Sequence, residues 1–309
     1  MIALQDLASG NKRKLAEALG DIERRAGEPE VVALLDEAYA QPKGTVIGIT
    51  GPPGVGKSTL ISALIGHWRR AGLTVGVIAV DPSSKISGGA LLGDRARMTS
   101  DPADSGIFIR SLAARGRLGG LADIAFASIV LMRAVFDRVL VESVGVGQSE
   151  AEIVAVADTV VLCIQPGSGD ALQFMKSGIM EIPAIAVVTK ADMGAAADRA
   201  VADLKSAMML SAPAAWDIPV LALAATSGQG IEDLDAALDR HAAFLAKTGA
   251  LVAGRGAQAR AWIESAVKAD AGARGVALVQ DALDGCESAP FRLQQTLLAR
   301  LEVRLEAPR

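Results

Sequence analysis

Residues 51–59 read Gly51, Pro52, Pro53, Gly54, Val55, Gly56, Lys57, Ser58 and Thr59, the pattern GxxxxGK[ST]. Glycines at these offsets let successive backbone N–H groups converge on phosphate oxygens. A following helix adds the positive end of its dipole. Lys57 is placed to reach β- and γ-phosphates, and the Ser58 hydroxyl is a hard oxygen ligand suited to Mg2+. A second cluster, Thr189-Lys190-Ala191-Asp192, fits the [NT]KxD pattern that reads guanine. The Asp192 carboxylate can accept from guanine N1–H and N2–H2, whereas adenine N1 would face it with a lone pair. The stem of Lys190 can lie along the base. Thr189 stands where Asn is usual and is expected to loosen the local loop bonding. Ala224, Ala225 and Thr226 occupy the place of a further base-contacting loop, whose usual Ser-Ala is Ala-Ala here, which leaves backbone N–H groups to make the contacts.

A carboxylate also stands at the end of an apolar run, in Glu142-Ser143-Val144-Gly145, the place of a DxxG motif. Glu142 would hold Mg2+ directly or through water, and the Gly145 N–H would face the γ-phosphate. Hydrolysis further needs an oriented water and charge neutralisation. No Gln follows Gly145 directly; Gln148 is the candidate to position water, and Arg110, Arg115 and Arg117 are candidate charge donors. Slow intrinsic hydrolysis of GTP to GDP and phosphate, completed by a partner, is the expectation.

These residues need a scaffold that gathers strand ends. Runs rich in β-branched residues fall at 45–50, 74–80, 106–109, 138–142, 159–164, 184–189 and 219–224, separated by amphipathic or Ala-rich stretches. Continuous apolar strands alternating with helices predict an α/β P-loop NTPase, with a mostly parallel sheet covered by helices on both faces. The division expected is an N-terminal helical segment over 1–43, a GTPase domain over 44–246 and a helical C-terminal extension over 247–309. The extension begins KTGALVAGRGAQAR, a Gly-rich stretch expected to be mobile. His67 and His241 fall on predicted helices and read as structural, and Cys163 as a small buried apolar residue.

Composition narrows the function further. The chain has 309 residues, a formal net charge of −4, and only three Trp, one Tyr and six Phe. Mild acidity and few aromatics exclude a dedicated nucleic-acid binder. Two distant cysteines make neither a disulfide framework nor a zinc site. No apolar run reaches the ~18 residues of a membrane span. The first twenty residues lack the apolar block of a signal peptide, so the expected location is the cytoplasm.

Longer stretches carry a resemblance. VDPSSKISGGALLGDRARM (80–98), RSLAARGRLGG (110–120), VESVGVGQSE (141–150) and QPGSGDALQFMKSGIME (165–181) resemble the methylmalonyl-CoA mutase-associated GTPases of the MeaB/ArgK type. The resemblance is dense over about 30–245 and weaker in DALDGCESAPFRLQQTLLARL of the tail. It implies a metallochaperone-like GTPase that serves an adenosylcobalamin-dependent acyl-CoA mutase, gating cofactor loading and protecting or rescuing that enzyme. It further implies that Asp81 and Asp94 are switch I acids near Mg2+ and that Glu142 is the switch II acid. Residues 166–181 become a mobile relay to the partner, and the protein a homodimer held by its C-terminal extension. Asp81 is expected to end a strand beside the phosphate-loop strand, and the glycines at 88, 89 and 93 suit a loop that reorders around a γ-phosphate. Arg117 stands where the family often has His, and Arg cannot shuttle a proton at neutral pH. Two other readings compete: a P-loop kinase of a transport system, and a metal-insertion chaperone GTPase, which would call for a His-rich tract or a CxxC.

Overall fold

Three helices precede the first strand: α1 (Leu4–Ala8), α2 (Lys12–Arg25) and α3 (Pro29–Ala40). Asn11 starts α2 by accepting the Lys14 N–H on its side chain at 3.0 Å, and Pro29 sits in the first turn of α3, where no N–H is needed. The computed structural model describes residues 2–8, 10–82, 103–114, 123–143, 153–167, 183–208, 215–285 and 288–306, with backbone alone at 8, 80–82, 113–114, 123, 284–285 and 302–306. Asp94, Gly145, Gln148, Arg115, Arg117, the glycines at 88, 89 and 93, and 168–181 of the expected relay lie outside the described residues.

Among the described residues seven strands form one all-parallel sheet. They are β1 (Thr45–Thr50), β2 (Val75–Pro82), β3 (Ile107–Ala114), β4 (Arg138–Glu142), β5 (Thr159–Ile164), β6 (Ile185–Val188) and β7 (Val220–Ala222), in spatial order β3-β2-β4-β1-β5-β6-β7. The fold is an α/β P-loop architecture. β3 runs past the expected 106–109 because it pairs with β2 along its whole length, from Val75↔Ile107 to Pro82↔Ala114. The RSLAA part of it carries no β-branched signal of its own.

The order corrects one expectation. Asp81 lies on β2, which does not adjoin the phosphate-loop strand; β4 lies between them, with Glu142 in register with Ile49 on one side and Ala79 on the other. The cause is the burial of β4, whose apolar side chains alternate between both faces, so it fills the central slot.

Alternation assigns the two faces. Val46, Ile78, Val139, Val141 and Val160 point to the side covered by α1–α3 and by α5 (Asp123–Val135). Ile47, Ile49, Val77, Leu140 and Val161 point to the side covered by α4 (Lys57–Arg70) and α7 (Ile231–Thr248). Helix α6 (Ala195–Met208) covers β6 and β7 through Leu204 and Ala207.

The tail departs from expectation too. Its Gly-rich beginning is ordered helix: α8 (Ala250–Val279) starts after Gly249, which turns the chain at φ 74, and breaks once at Gly272 (φ 66). Arg255 fixes this helix to the main body by a fork onto Asp158, with Nε 2.8 Å from Oδ1 and Nη2 2.7 Å from Oδ2. Helix α9 (Pro290–Glu306) packs back on α8 through Leu297, Leu301, Ile263 and Val267. No described helix is long and apolar enough to cross a membrane.

Candidate nucleotide site

β1 runs directly into the loop 51–56 and from there into α4. Two glycines make that passage possible. Gly51 has φ 140, and a Cβ there would lie 2.2 Å from the Cys163 carbonyl oxygen. Gly56, at φ 102, occupies the cap position of α4 without a side-chain cap, leaving the first-turn N–H groups directed at the loop. Val55 is fully buried and pins the loop to the core, while Pro53, Gly54 and Thr59 lie at its rim.

The charged groups are held at this edge. Lys57 is only 7% exposed, and its Nζ donates to the Gly51 carbonyl at 2.8 Å and to the Pro52 carbonyl at 3.2 Å. Both of these acceptors are neutral carbonyls, which an incoming phosphate oxygen can replace. Ser58 donates its hydroxyl to Glu142 Oε1 at 2.9 Å, so two sequence-predicted Mg2+ ligands from different elements meet. Both are hard oxygen donors, and the Glu142 carboxylate is 5% exposed, which fits Mg2+. Beside them the Ser143 hydroxyl donates to Thr50 Oγ1 at 3.0 Å, joining the ends of β4 and β1. Asp81 is placed at the end of β2, two residues past the Ala79 that pairs with Glu142; its side chain is outside the described residues.

The base-reading end is assembled by long-range ties. Thr189 is buried, with its hydroxyl 2.8 Å from the Val55 carbonyl and 3.0 Å from that of Ile164. The substitution expected to loosen the loop therefore ties it to the phosphate loop. Lys190 holds φ 54, a left-handed conformation, and its Nζ donates to Gln165 Oε1 at 2.5 Å and to the Gly54 carbonyl at 3.3 Å. Ala191 donates its N–H to the Leu223 carbonyl at 3.0 Å, and Asp192 lies exposed in the single 3-10 turn Ala191–Met193. The Ala224 N–H, expected to face a base, is committed to the Gln229 carbonyl at 3.0 Å, because this loop closes on itself. That leaves Ala225 and Thr226 as the positions in this loop for base contact.

Other predicted residues fall elsewhere. Arg110 is ion-paired with Glu23 of α2, which commits its charge to packing. His67 pairs with Asp235 at 2.9 Å, and Cys163 lies fully buried beneath the loop, where burial pushes its thiol up to about 12. The sequence reading missed Gln165 and the tether role of Thr189; the one signal available for either was its position just after a strand.

Strand ends of β1, β4, β6 and β7 thus converge with the loop 51–56 on one crevice at the carboxyl edge of the sheet, where ligands of open α/β sheets bind. Residues 15–277 match the family described as methylmalonyl-CoA mutase-associated GTPase MeaB. The chain belongs to that family. It is a GTPase with a P-loop site for guanine nucleotide. A Pyrococcus horikoshii protein named as a GTPase is 42% identical over 271 residues, covering 86% of this chain and 83% of its own. The mitochondrial methylmalonic aciduria type A homolog of Mus musculus is 35% identical over 271 residues, covering 85% of this chain and 63% of its own. The solved structure of a protein named LAO/AO transport system kinase superposes with a TM-score of 0.69 at 26% identity, covering 97% and 96% of the two chains.

Proposed function

We propose that this GTPase is the nucleotide-gated chaperone of an adenosylcobalamin-dependent acyl-CoA mutase, controlling cofactor loading and protecting or reactivating that enzyme. The observation that carries the reading is the family match over 15–277, whose description names association with methylmalonyl-CoA mutase. The Ser58–Glu142 contact at 2.9 Å supports it physically, since it joins the phosphate loop to the start of the segment that follows β4. Ser58 and Glu142, with Asp81 and Asp94, would hold Mg2+, which when bound neutralises charge across the β- and γ-phosphates. Lys57 leaves the Gly51 and Pro52 carbonyls for phosphate oxygens, and the loop N–H groups bind the chain of phosphates. Glu142, released from Ser58, would carry the presence of a γ-phosphate into 143–150, the segment from which Gly145 is expected to meet the phosphate and Gln148 its attacking water. Residues 166–181 pass that state to the mutase, and 247–309 supply a homodimer contact.

The test is GTP turnover alone and with a saturating adenosylcobalamin-dependent mutase from the same cell. Turnover should be slow alone and accelerate with the mutase. Asp170→Ala should leave basal turnover nearly unchanged and reduce the acceleration. No acceleration by any such mutase would sink the chaperone reading. The name of the solved relative favours a second reading, a kinase; transfer of label from γ-labelled GTP to an acceptor other than water would establish it.

A further inference from the structure

The opposite end of β1 borders a cavity of about 560 Å3, lined among others by Tyr39, Pro42, Lys43, Arg133, Leu251 and Arg255. The Arg133 carbonyl accepts the N–H groups of Lys43 and Gly44 at 3.0 and 2.9 Å, so the cavity wall is continuous with the start of the sheet. Its cations are unequally matched. Arg255 is forked onto Asp158 and also donates to the Gly44 carbonyl at 3.1 Å. Lys43 lies 3.2 Å from Asp137 Oδ1. Arg133 is 2% exposed, and its Nε has no hydrogen-bond partner among the described residues. Its guanidinium rests over the Tyr39 ring, 5.4 Å from the centroid, and Asp158, already forked onto Arg255, favours its charge only at a distance. Burial and the neighbouring Arg255 push the Arg133 pKa down to about 10, which keeps it protonated at neutral pH.

A buried cation without a matched anion is costly, and a ring face offsets only part of that cost. Among the described residues the side chains here, Arg133, Arg255 and Lys43 against Asp158 and Asp137, leave one positive charge in excess. We propose that this cavity binds a small organic monoanion, a carboxylate on a compact apolar body, with Arg133 as its counter-ion. The guanidinium fork matches a carboxylate. The volume falls in the range of small-molecule sites and exceeds what a bare inorganic ion fills. Leu251, Pro42 and the Tyr39 ring offer apolar contact, and a phosphate monoester would bring a second charge with no cation left to meet it. The mouth carries Val252, 72% exposed.

The probe is benzoate, with benzamide as its neutral isostere and inorganic phosphate as a third arm, titrated into the full chain with saturating GDP so that the nucleotide site is occupied. Benzoate should bind, with benzamide and phosphate each weaker by about 10-fold or more, the worth of one charged hydrogen-bonded contact. Arg133→Met should weaken benzoate by a similar factor, and without benzoate the variant should be at least as stable as the parent, because it removes an unmatched buried charge. Val252→Glu adds a negative charge at the mouth and should also weaken benzoate, which keeps the test decisive if Arg133→Met fails to fold. Absence of benzoate binding, equal binding of benzamide, or unchanged affinity in the Arg133 and Val252 variants would overturn the proposal.

Discussion

The two edges of the sheet hold their charges differently. At the carboxyl edge Lys57 rests on two neutral carbonyls, and Glu142 accepts a hydroxyl from Ser58. At the amino edge carboxylates are closed by charge and backbone. Asp158 takes the Arg255 fork and the Val46 N–H at 2.8 Å, and Asp137 takes the Thr74 N–H, the Thr74 hydroxyl and Lys43. The first arrangement can exchange its partners for a ligand at little loss. The second cannot at Asp158, where each partner released from the Arg255 pair would be left largely buried and unmatched. Function sits where internal partners are replaceable, and stability where they are not. Arg133 is the one group described at the amino edge that breaks this rule, which is why the second cavity stands out.

The contrast predicts that the two edges fail in different assays. Asp158→Ala should show the largest effect, a loss of about 3–5 kcal/mol of stability, as expected for one partner removed from a buried ion pair. Urea midpoints at constant m-value measure it. Nucleotide affinity at temperatures where the variant stays folded should be unchanged, and a large drop in affinity with little loss of stability would erase the distinction between the edges. Lys57→Ala should do the reverse. Affinity for a fluorescent guanine nucleotide should fall by about 100-fold, equivalent to about 3 kcal/mol, while the urea midpoint stays put. Unchanged affinity would remove the phosphate-loop assignment.

The edges also differ in how far they could be read from sequence. The carboxyl edge is written in contiguous runs, 51–59 and 189–192, because phosphate and base contacts are made by neighbouring residues on a single turn. The sheet was legible for the same local reason, through apolar runs of strand length. The amino edge is written in pairs: Asp158 and Arg255 are 97 residues apart, and Thr74 and Asp137 are 63 apart. Arg255 sits in a Gly-rich stretch with a weak helical pattern, and tertiary anchors, Arg255 on Asp158 and Gln258 on the Val154 and Ala157 carbonyls, hold that stretch as helix. The place of β2 one strand away from β1 was illegible too, since strand order follows from which run can be covered on both faces rather than from order along the chain.

Within the carboxyl edge, the base-reading end should respond less than the phosphate end. Asp192→Asn should shift preference from GTP towards XTP by about 1–3 kcal/mol, because its amide would face the guanine N2–H2 but can pair with the xanthine carbonyl. Competition between GTP and XTP measures it, and a wild-type ratio would mean that Asp192 does not read the base. Thr189→Val keeps the shape and removes the hydroxyl that reaches Val55. A loss of about 1 kcal/mol in GTP affinity is expected, with GTP still preferred over XTP. If preference moved as much as affinity, the tether would be part of base reading and not only a link between the loops.

The smallest effect tests whether the amino edge is closed to protons as well as to ligands. His241 is buried on α7, with Nδ1 2.8 Å from the hydroxyl of Thr159 at the start of β5 and its ring 4.8 Å from that of Trp216. Burial pushes its pKa below the ordinary value of about 6.5, and Asp158 offsets part of that shift. The folded state therefore holds His241 neutral, and on acidification the unfolded chain takes up the proton first. With more protons bound in the unfolded state, stability falls as pH falls. The contribution is complete above the unfolded value of about 6.5 and is withdrawn as pH drops below it. His241→Gln cannot titrate, so its urea midpoint should follow the parent's at a fixed gap above about pH 7 and at a narrowing gap between about pH 6.5 and 5. Carboxylates elsewhere titrate alike in both proteins and cancel in the difference. A gap that stays constant through this range would show that His241 takes its proton as readily in the folded protein as out of it. The amino edge would then admit charge after all, and its closure would rest on ion pairs alone.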